Sequence, residues 1–243
     1  MRIAIISDIH GNFEAFYKVA KSIRNETVDQ IVFLGDIGFM GLYPQECFDL
    51  LQDLSPSICI RGNTDTNFLE TKSFKPVNKY EEKVLMLCNY MESNLCQKAK
   101  NQILTWHTSN IFEKFDNRFI FCHGSPYSNK DIIKIENINS YFDRIKSERV
   151  SHIFFGHTHA CTQFMIGLTK MINAGSIGYS LDGDTSAKYG IIDISSDGEL
   201  NFFQKKIPYE SSRYIKQLKK VNFPLKEELI FMLNKAKCPP KGD

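Results

Sequence analysis

An α/β fold, with strands alternating with helices, is what this sequence predicts, and three observations predict it. Short apolar runs recur through the first 155 positions, at 3–6, 31–34, 57–60, 119–122 and 152–155. Between them, apolar residues repeat at helical rather than strand spacing. Each run stops beside a glycine and an Asp, Asn or His. Binding crevices in open α/β sheets lie at such carboxyl ends of strands, so the polar groups are placed where a site would form.

The bulk properties narrow the class. The chain has 243 residues, 42% hydrophobic and 24% charged, long enough for one large domain with a full core. Its formal net charge of +2 carries no nucleic-acid or membrane footprint, so an anionic ligand needs a local concentration of positive charge. Seven cysteines form no CxxC pair, and several lie inside apolar runs. That argues for small buried side chains in a reducing compartment, not for a disulfide framework or thiolate zinc site. Met1-Arg2-Ile3-Ala4-Ile5-Ile6 leads straight into Ser7-Asp8 without a signal peptide, and no apolar stretch approaches the ~18 residues of a membrane span. A cytoplasmic protein is expected.

Taken in order, residues 3–6 predict a buried strand ending in Ser7-Asp8-Ile9-His10-Gly11-Asn12. Phe16, Val19, Ala20 and Ile23 then share one helix face, with Asn12 as N-cap. A second strand, 31–34, ends in Gly35-Asp36. Pro44 suits the first turn of a second helix that points Cys47, Phe48, Leu51 and Leu54 inward. A third strand, 57–60, ends in Arg61-Gly62-Asn63-Thr64-Asp65. Residues 67–110 hold helical patterns and no strand, with Leu85, Leu87, Leu95, Ile103, Leu104 and Trp106 as apolar contacts, and read as a helical insertion. A fourth strand, 119–122, ends in His123-Gly124-Ser125-Pro126, and a helix near 138–148 leads to the fifth, 152–155. After Gly156 the pattern changes to β-like runs at 163–166, 170–173, 188–194 and 199–207, with glycine turn signals. One amphipathic helix near 211–235 and a loose tail at 238–243 complete a single domain spanning 1–243, without linker or repeat.

Five strand ends therefore carry Asp8-x-His10, Asp36, Asn63, His123 and His157-x-His159, and four of the six histidines fall there. Neutral imidazole is the commonest metal-ligating side chain. A mixed set of carboxylate, imidazole and amide without thiolate suits manganese, iron, zinc, cobalt or nickel better than calcium or copper(I). Seven candidate ligands exceed the four of a closed zinc site and divide naturally between two ions sharing one carboxylate.

These residues resemble the calcineurin-like metallophosphoesterases, especially the compact bacterial and archaeal phosphodiesterases with SDIHGN, LGDI, RGNxD, HGSP and GHTH motifs. The resemblance runs from Met1 to about Ile194 and leaves the insertion and the C-terminal helix less well matched. It implies a four-layer α-β-β-α sandwich with two mixed sheets. It implies that Asp8, His10, Asp36 and His159 hold a first metal, and that Asp36 bridges to a second completed by Asn63, His123 and His157. Asn173-Ala174-Gly175-Ser176 resembles the family's NPGS turn, with Ala174 in place of proline. Two divalent transition-metal ions, manganese first, with Fe, Zn, Ni or Co admitted, would lower the pKa of water from 15.7 towards ~7, so that a hydroxide between them attacks phosphorus in line. Substrates expected on this reading are phosphate-ester small molecules or nucleotides. Neither a membrane nor a nucleic acid is an expected partner, and a homo-oligomer is left open.

The departure from the family is Thr64, where many relatives carry a histidine that protonates the leaving oxygen. Threonine cannot serve as a general acid near neutrality, a role worth ~10²–10⁴-fold, so alkyl esters should turn over slowly and aryl esters better. Asp65 is expected to orient its neighbours from behind the ligands. His107 is weighed as a substitute acid against an exposed helix residue, His152 reads as structural, Arg61 as a rim or ion-pair residue, and Tyr127 as a wall of the substrate pocket. A dinucleoside-polyphosphate hydrolase, suggested by Gly41-Leu42-Tyr43-Pro44, and a phosphomonoesterase are the alternatives on the same site. A non-catalytic scaffold, like the retromer subunit that resembles these enzymes, is the alternative outside catalysis.

Overall fold

The computed structural model describes residues 1–115 and 117–240. The run at 3–6 becomes β1 (Arg2–Ile6), with Ile3, Ala4, Ile5 and Ile6 fully buried. Alternate side chains leave a strand on opposite faces. Ala4 and Ile6 join one apolar cluster and Ile3 and Ile5 another, which explains a continuous apolar run where a half-exposed strand would alternate. β2 (Gln30–Phe33) and β3 (Ile58–Cys59) lie parallel to it. Between them run α1 (Phe13–Arg24) and α2 (Pro44–Asp53). Asn12 caps α1 by accepting from Ala15 N–H at 3.2 Å, and Pro44 opens α2.

α3 (Lys79–Asn94) and α4 (Gln97–Thr105) follow, then β4 (Ser109–Lys114), β5 (Asn117–Cys122), α5 (Phe142–Glu148), β6 (His152–Phe155), β7 (Thr162–Ile166) and β8 (Thr169–Asn173). These strands make a second sheet ordered β4-β5-β6-β8-β7, parallel at β5-β6-β8 and antiparallel at both edges. β9 (Ala187–Ile194) and β10 (Leu200–Ile207) return to the first sheet, ordered β10-β9-β1-β2-β3. α6 (Ser211–Lys220) and α7 (Lys226–Lys235) close the chain.

Three buried clusters define four layers. One packs α1, α2, α3 and α6 on the outer face of the first sheet. The second lies between the sheets, with Ile5, Val32 and Leu34 against Phe119, Phe121 and Phe154. The third sets Ile145 of α5 against Ile153, Phe155 and Met171. Full burial of such a side chain stabilises by about 1.5–3 kcal/mol relative to exposure. The fold is thus a mixed α/β sandwich with two mixed sheets and helices outside, the arrangement that the resemblance implies.

Five details differ from the sequence reading. The insertion region ends in a strand, β4, which an apolar search misses because it is an edge strand whose Phe112 alone packs on the core cluster while Ile111, Glu113 and Lys114 are exposed. Leu104 is exposed while Leu87, Leu95, Ile103 and Trp106 are buried. The helix near 138–148 is a 3₁₀ segment, Ile135–Ser140, followed by α5, since Asn137 spends its side chain on Lys134 N–H and Ile132 O. The single C-terminal helix is two, interrupted at Pro224 and at Leu225 with φ 55°. Cys47, Cys88 and Cys122 are buried as expected, but Cys96 and Cys238 are exposed. Of the tail expected to be loose, residues 241–243 lie outside the described residues. No helix among the described residues is long and apolar enough to cross a membrane.

Candidate metal centre

The parallel strands of both sheets aim their carboxyl ends at one place. Asp8 and His10 follow β1, Asp36 follows β2, Asn63 follows β3, His123 follows β5, and His157 and His159 follow β6. Backbone hydrogen bonds continue past the strands and hold these loops together: Asp8 N–H to Gly35 O (3.0 Å), His10 N–H to Asp36 O (2.9 Å) and Gly156 N–H to His123 O (2.9 Å). Two glycines are required by this closeness. A Cβ on Gly62 would strike the Asp36 carboxylate, and one on Gly156 would strike Ser7 Oγ and Asp8.

The seven candidate ligands divide into two groups. Oxygen and nitrogen atoms of Asp8, His10 and His159 lie within 4.8 Å of one another, as do those of Asp36, His123 and His157. Asn63 joins the second group through Oδ1, 2.9 Å from His123 Nε2. Asp36 Oδ2 faces both groups, 3.6 Å from His10 Nε2 and 3.3 Å from His123 Nε2, closer to each than Asp8 Oδ1 at 3.8 and 4.0 Å. Asp8, His10, Asp36 and His123 are at most 2% exposed.

The backbone at these positions is strained. Asp8, His10, Asp36, His157 and His159 all have positive φ, between 48° and 67°. Left-handed backbone costs a non-glycine residue roughly 1–2 kcal/mol and persists where the surroundings over-determine it. Here the loop-to-loop ladder does so.

Three of the histidines have their tautomer set by a carbonyl. Nδ1 of His10, His123 and His159 meets Phe39 O (2.9 Å), Leu34 O (2.7 Å) and Tyr179 O (2.7 Å). A carbonyl only accepts, so Nδ1 carries a hydrogen, and in the neutral ring Nε2 offers its lone pair inward. Yet Nε2 of His10 and of His159 stand 2.9 Å apart. Two lone pairs cannot face each other at that distance without a proton or a cation between them. The donor set fits a cation.

Charge tells the same story. Burial raises the Asp8 carboxyl, but His159 and His123 outweigh it and bring it to about 2. Burial likewise raises Asp36, and His123 and His10 hold it far below the usual carboxylate range. His10 falls to about 4 through burial and the neighbouring His159. His123 rises to about 10, because the Asp36 carboxylate overcomes the effect of burial, and His159 rises beside Asp8 for the same reason. Two buried carboxylates thus favour positive charge in the cluster, which is why the pKa values of His123 and His159 rise despite burial.

The residues expected around the ligands fall as follows. Thr64 N–H donates to Asp36 Oδ1 at 2.9 Å, and its own Oγ1 is buried without a hydrogen-bond partner. Asp65 accepts from the N–H groups of Asp36 (2.9 Å), Ile37 (2.8 Å) and Gly62 (2.7 Å), tying the β2 and β3 loops together. Burial and the Asp36 charge raise its pKa to about 6 against those bonds. His107 pairs through its backbone with Ile60 and Arg61, and it is exposed. Arg61 donates to Leu104 O. Tyr127 lies under the Arg144 guanidinium at 3.6 Å, and the cavity of about 340 Å³ is lined instead by Thr158, Ala160, Leu181 and Phe164 among others. Asn173 donates to Thr158 Oγ1 (3.0 Å), and Ser176 Oγ donates to Asp8 O (2.9 Å). The sequence reading passed over Ser7, whose Oγ donates to Asp8 Oδ2 at 2.6 Å, although it sits inside the first motif. It also passed over the carbonyls of Leu34, Phe39 and Tyr179, for which no sequence signal exists.

A family model described as the calcineurin-like phosphoesterase superfamily domain matches residues 1–197. The uncharacterized protein MJ0912 of Methanocaldococcus jannaschii is 30% identical over 213 residues, which cover 79% of this chain and 82% of that one. A metallophosphoesterase from Sphaerobacter thermophilus has a similar structure, with a TM-score of 0.74, 22% identity, and 97% of this chain and 99% of that one covered. The hypothetical protein PH1004 from Pyrococcus horikoshii OT3 has a TM-score of 0.80 at 16% identity, covering 98% of this chain and 99% of its own. Both structures share the fold.

Proposed function

This chain belongs to the calcineurin-like phosphoesterase superfamily, and we propose that it is a single-domain, cytoplasmic phosphoric ester hydrolase, a phosphodiesterase working with two divalent transition-metal ions, manganese foremost. The observation that carries this reading is the convergence of two ligand groups on the shared Asp36 Oδ2. Asp8, His10 and His159 would hold one ion, Asn63, His123 and His157 the other, and Asp36 both. When bound, such ions supply Lewis-acid neutralisation of a phosphate ester and a water acidic enough to act as nucleophile near neutral pH.

The chain's own contribution is orientation and charge. Carbonyls fix Nε2 of three imidazoles inward, so no ligand has to reorganise. The Thr64 N–H occupies Asp36 Oδ1 and leaves Oδ2 free for both groups. Asp65 holds the backbone of Asp36 in its strained conformation through two amides. Burial of the cluster strengthens its electrostatics against an anionic ester. A chain near neutrality overall can thus concentrate positive charge in one cleft.

The test is a panel of metals against substrates: aryl monoesters and diesters, cyclic nucleotides and dinucleoside polyphosphates, with Asp36→Asn as control. Metal-stimulated, chelator-sensitive hydrolysis that falls about 10³-fold in Asp36→Asn supports the proposal. A chain that binds its neighbours in a complex but hydrolyses nothing with any metal is a scaffold.

A further inference from the structure

The two carbonyls that orient the histidines of the first group belong to Phe39 and Tyr179. One side chain links them. While the Tyr179 carbonyl receives His159 Nδ1–H, the Tyr179 hydroxyl donates to Met40 O at 3.2 Å, one residue beyond Phe39 and at φ 69°. Tyr214 of α6 stands behind it, with its hydroxyl 3.4 Å from that of Tyr179. Tyr214 Oη accepts from Leu42 N–H at 2.9 Å and donates to Gly11 O at 3.3 Å, one residue after His10. Both phenols are at most 1% exposed. The loops that carry His10 and its anchor, and the residue that anchors His159, are therefore joined by two hydroxyls.

Neither hydroxyl bonds a ligand of the second group or one of its anchors. His123 is anchored on Leu34 O, and Asp36 on Thr64 N–H and the Asp65 brace. Tyr214 also lies outside residues 1–197, the part that the family model covers.

Resting on the binuclear reading above, we propose that Tyr179 and Tyr214 are positioning residues that set the spacing of the His10 and His159 rings, and so tune one of the two cation sites without the other. α6 is then a support for the first site rather than a passive cap on the sheet.

The experiment is calorimetric titration of the metal-free chain with Mn²⁺, and the visible spectrum with Co²⁺, for wild type, Tyr179→Phe and Tyr214→Phe. His10→Ala and His123→Ala identify which binding step belongs to which group. Leu218→Ala, in the same helix and fully buried, loosens the packing while keeping both hydroxyls. The first-group step should weaken about 10–100-fold in either Phe variant, with a changed Co²⁺ spectrum, while the second step is unmoved. Leu218→Ala should lower the melting temperature and leave both steps intact. Unchanged binding in both Phe variants, or equal weakening of both steps, overturns the inference while leaving the binuclear reading in place. A wild type that takes up no metal overturns the binuclear reading and this inference with it.

Discussion

His10 Nε2 and His159 Nε2 lie 2.9 Å apart, although 149 positions separate the two residues in sequence. Their Nδ1 atoms donate outward to carbonyls, so the pair presents two imidazole nitrogens beside the Asp8 carboxylate. Imidazole suits manganese, iron, cobalt, nickel and zinc, whereas calcium selects oxygen cages. Activity of chelator-treated protein should return at least about tenfold with Mn²⁺, Co²⁺ or Zn²⁺ and not with Ca²⁺. Initial rates on an aryl phosphodiester measure this, and equal recovery with Ca²⁺ would speak against the histidine pair as ligands.

Thr64 offers the centre a backbone N–H and no proton donor of useful acidity. A nitrophenyl diester should therefore turn over much faster than a methyl ester. Thr64→His should raise the rate for the methyl ester by about 10²-fold and that for the aryl ester far less, since a general acid helps poor leaving groups most. If wild type cleaves both esters equally fast, the assignment of Thr64 is wrong.

Asp65 gathers three buried amide donors. Asp65→Ala would orphan all of them, at about 1–3 kcal/mol each before relaxation. A stability loss of at least about 3 kcal/mol is expected in denaturant unfolding, together with weakened metal binding. A loss below about 1 kcal/mol would mean that the strained Asp36 backbone holds itself.

His152, half-buried between Phe119 and Phe154 and beside Lys170, has a pKa lowered to about 4, first by burial and then by Lys170. Its folded value lies below its unfolded value of about 6.5, so the unfolded chain binds the extra proton. The contribution to stability is full above about pH 6.5 and is lost as the pH falls towards 4. The melting temperature of His152→Phe should drop less than that of wild type between pH 7 and 5. Parallel slopes would contradict the shift.

The parts of the fold that were legible in the sequence are those buried on both sides. β1 and β2 show up as unbroken apolar runs because one face meets the helices and the other the second sheet. β4 was illegible because an edge strand spends most of its side chains on solvent, and its pairing with β5 is a matter of backbone. The candidate ligands were legible because strand-end Asp, Asn and His beside glycine is an uncommon pattern. Their left-handed backbone was not, since no propensity places Asp8 or His157 at positive φ; the loop ladder imposes it. The Tyr179–Tyr214 pair escaped for the same reason, as a tyrosine on a helix face reads as core until its hydroxyl is seen reaching Gly11.

The most direct measurement is an anomalous difference map from crystals soaked in Mn²⁺. Two peaks are predicted, one among Asp8, His10 and His159 and one among Asp36, His123 and His157, with Asp36 in contact with both. A fully loaded crystal showing no peak, or a peak that touches none of these side chains, would contradict the account.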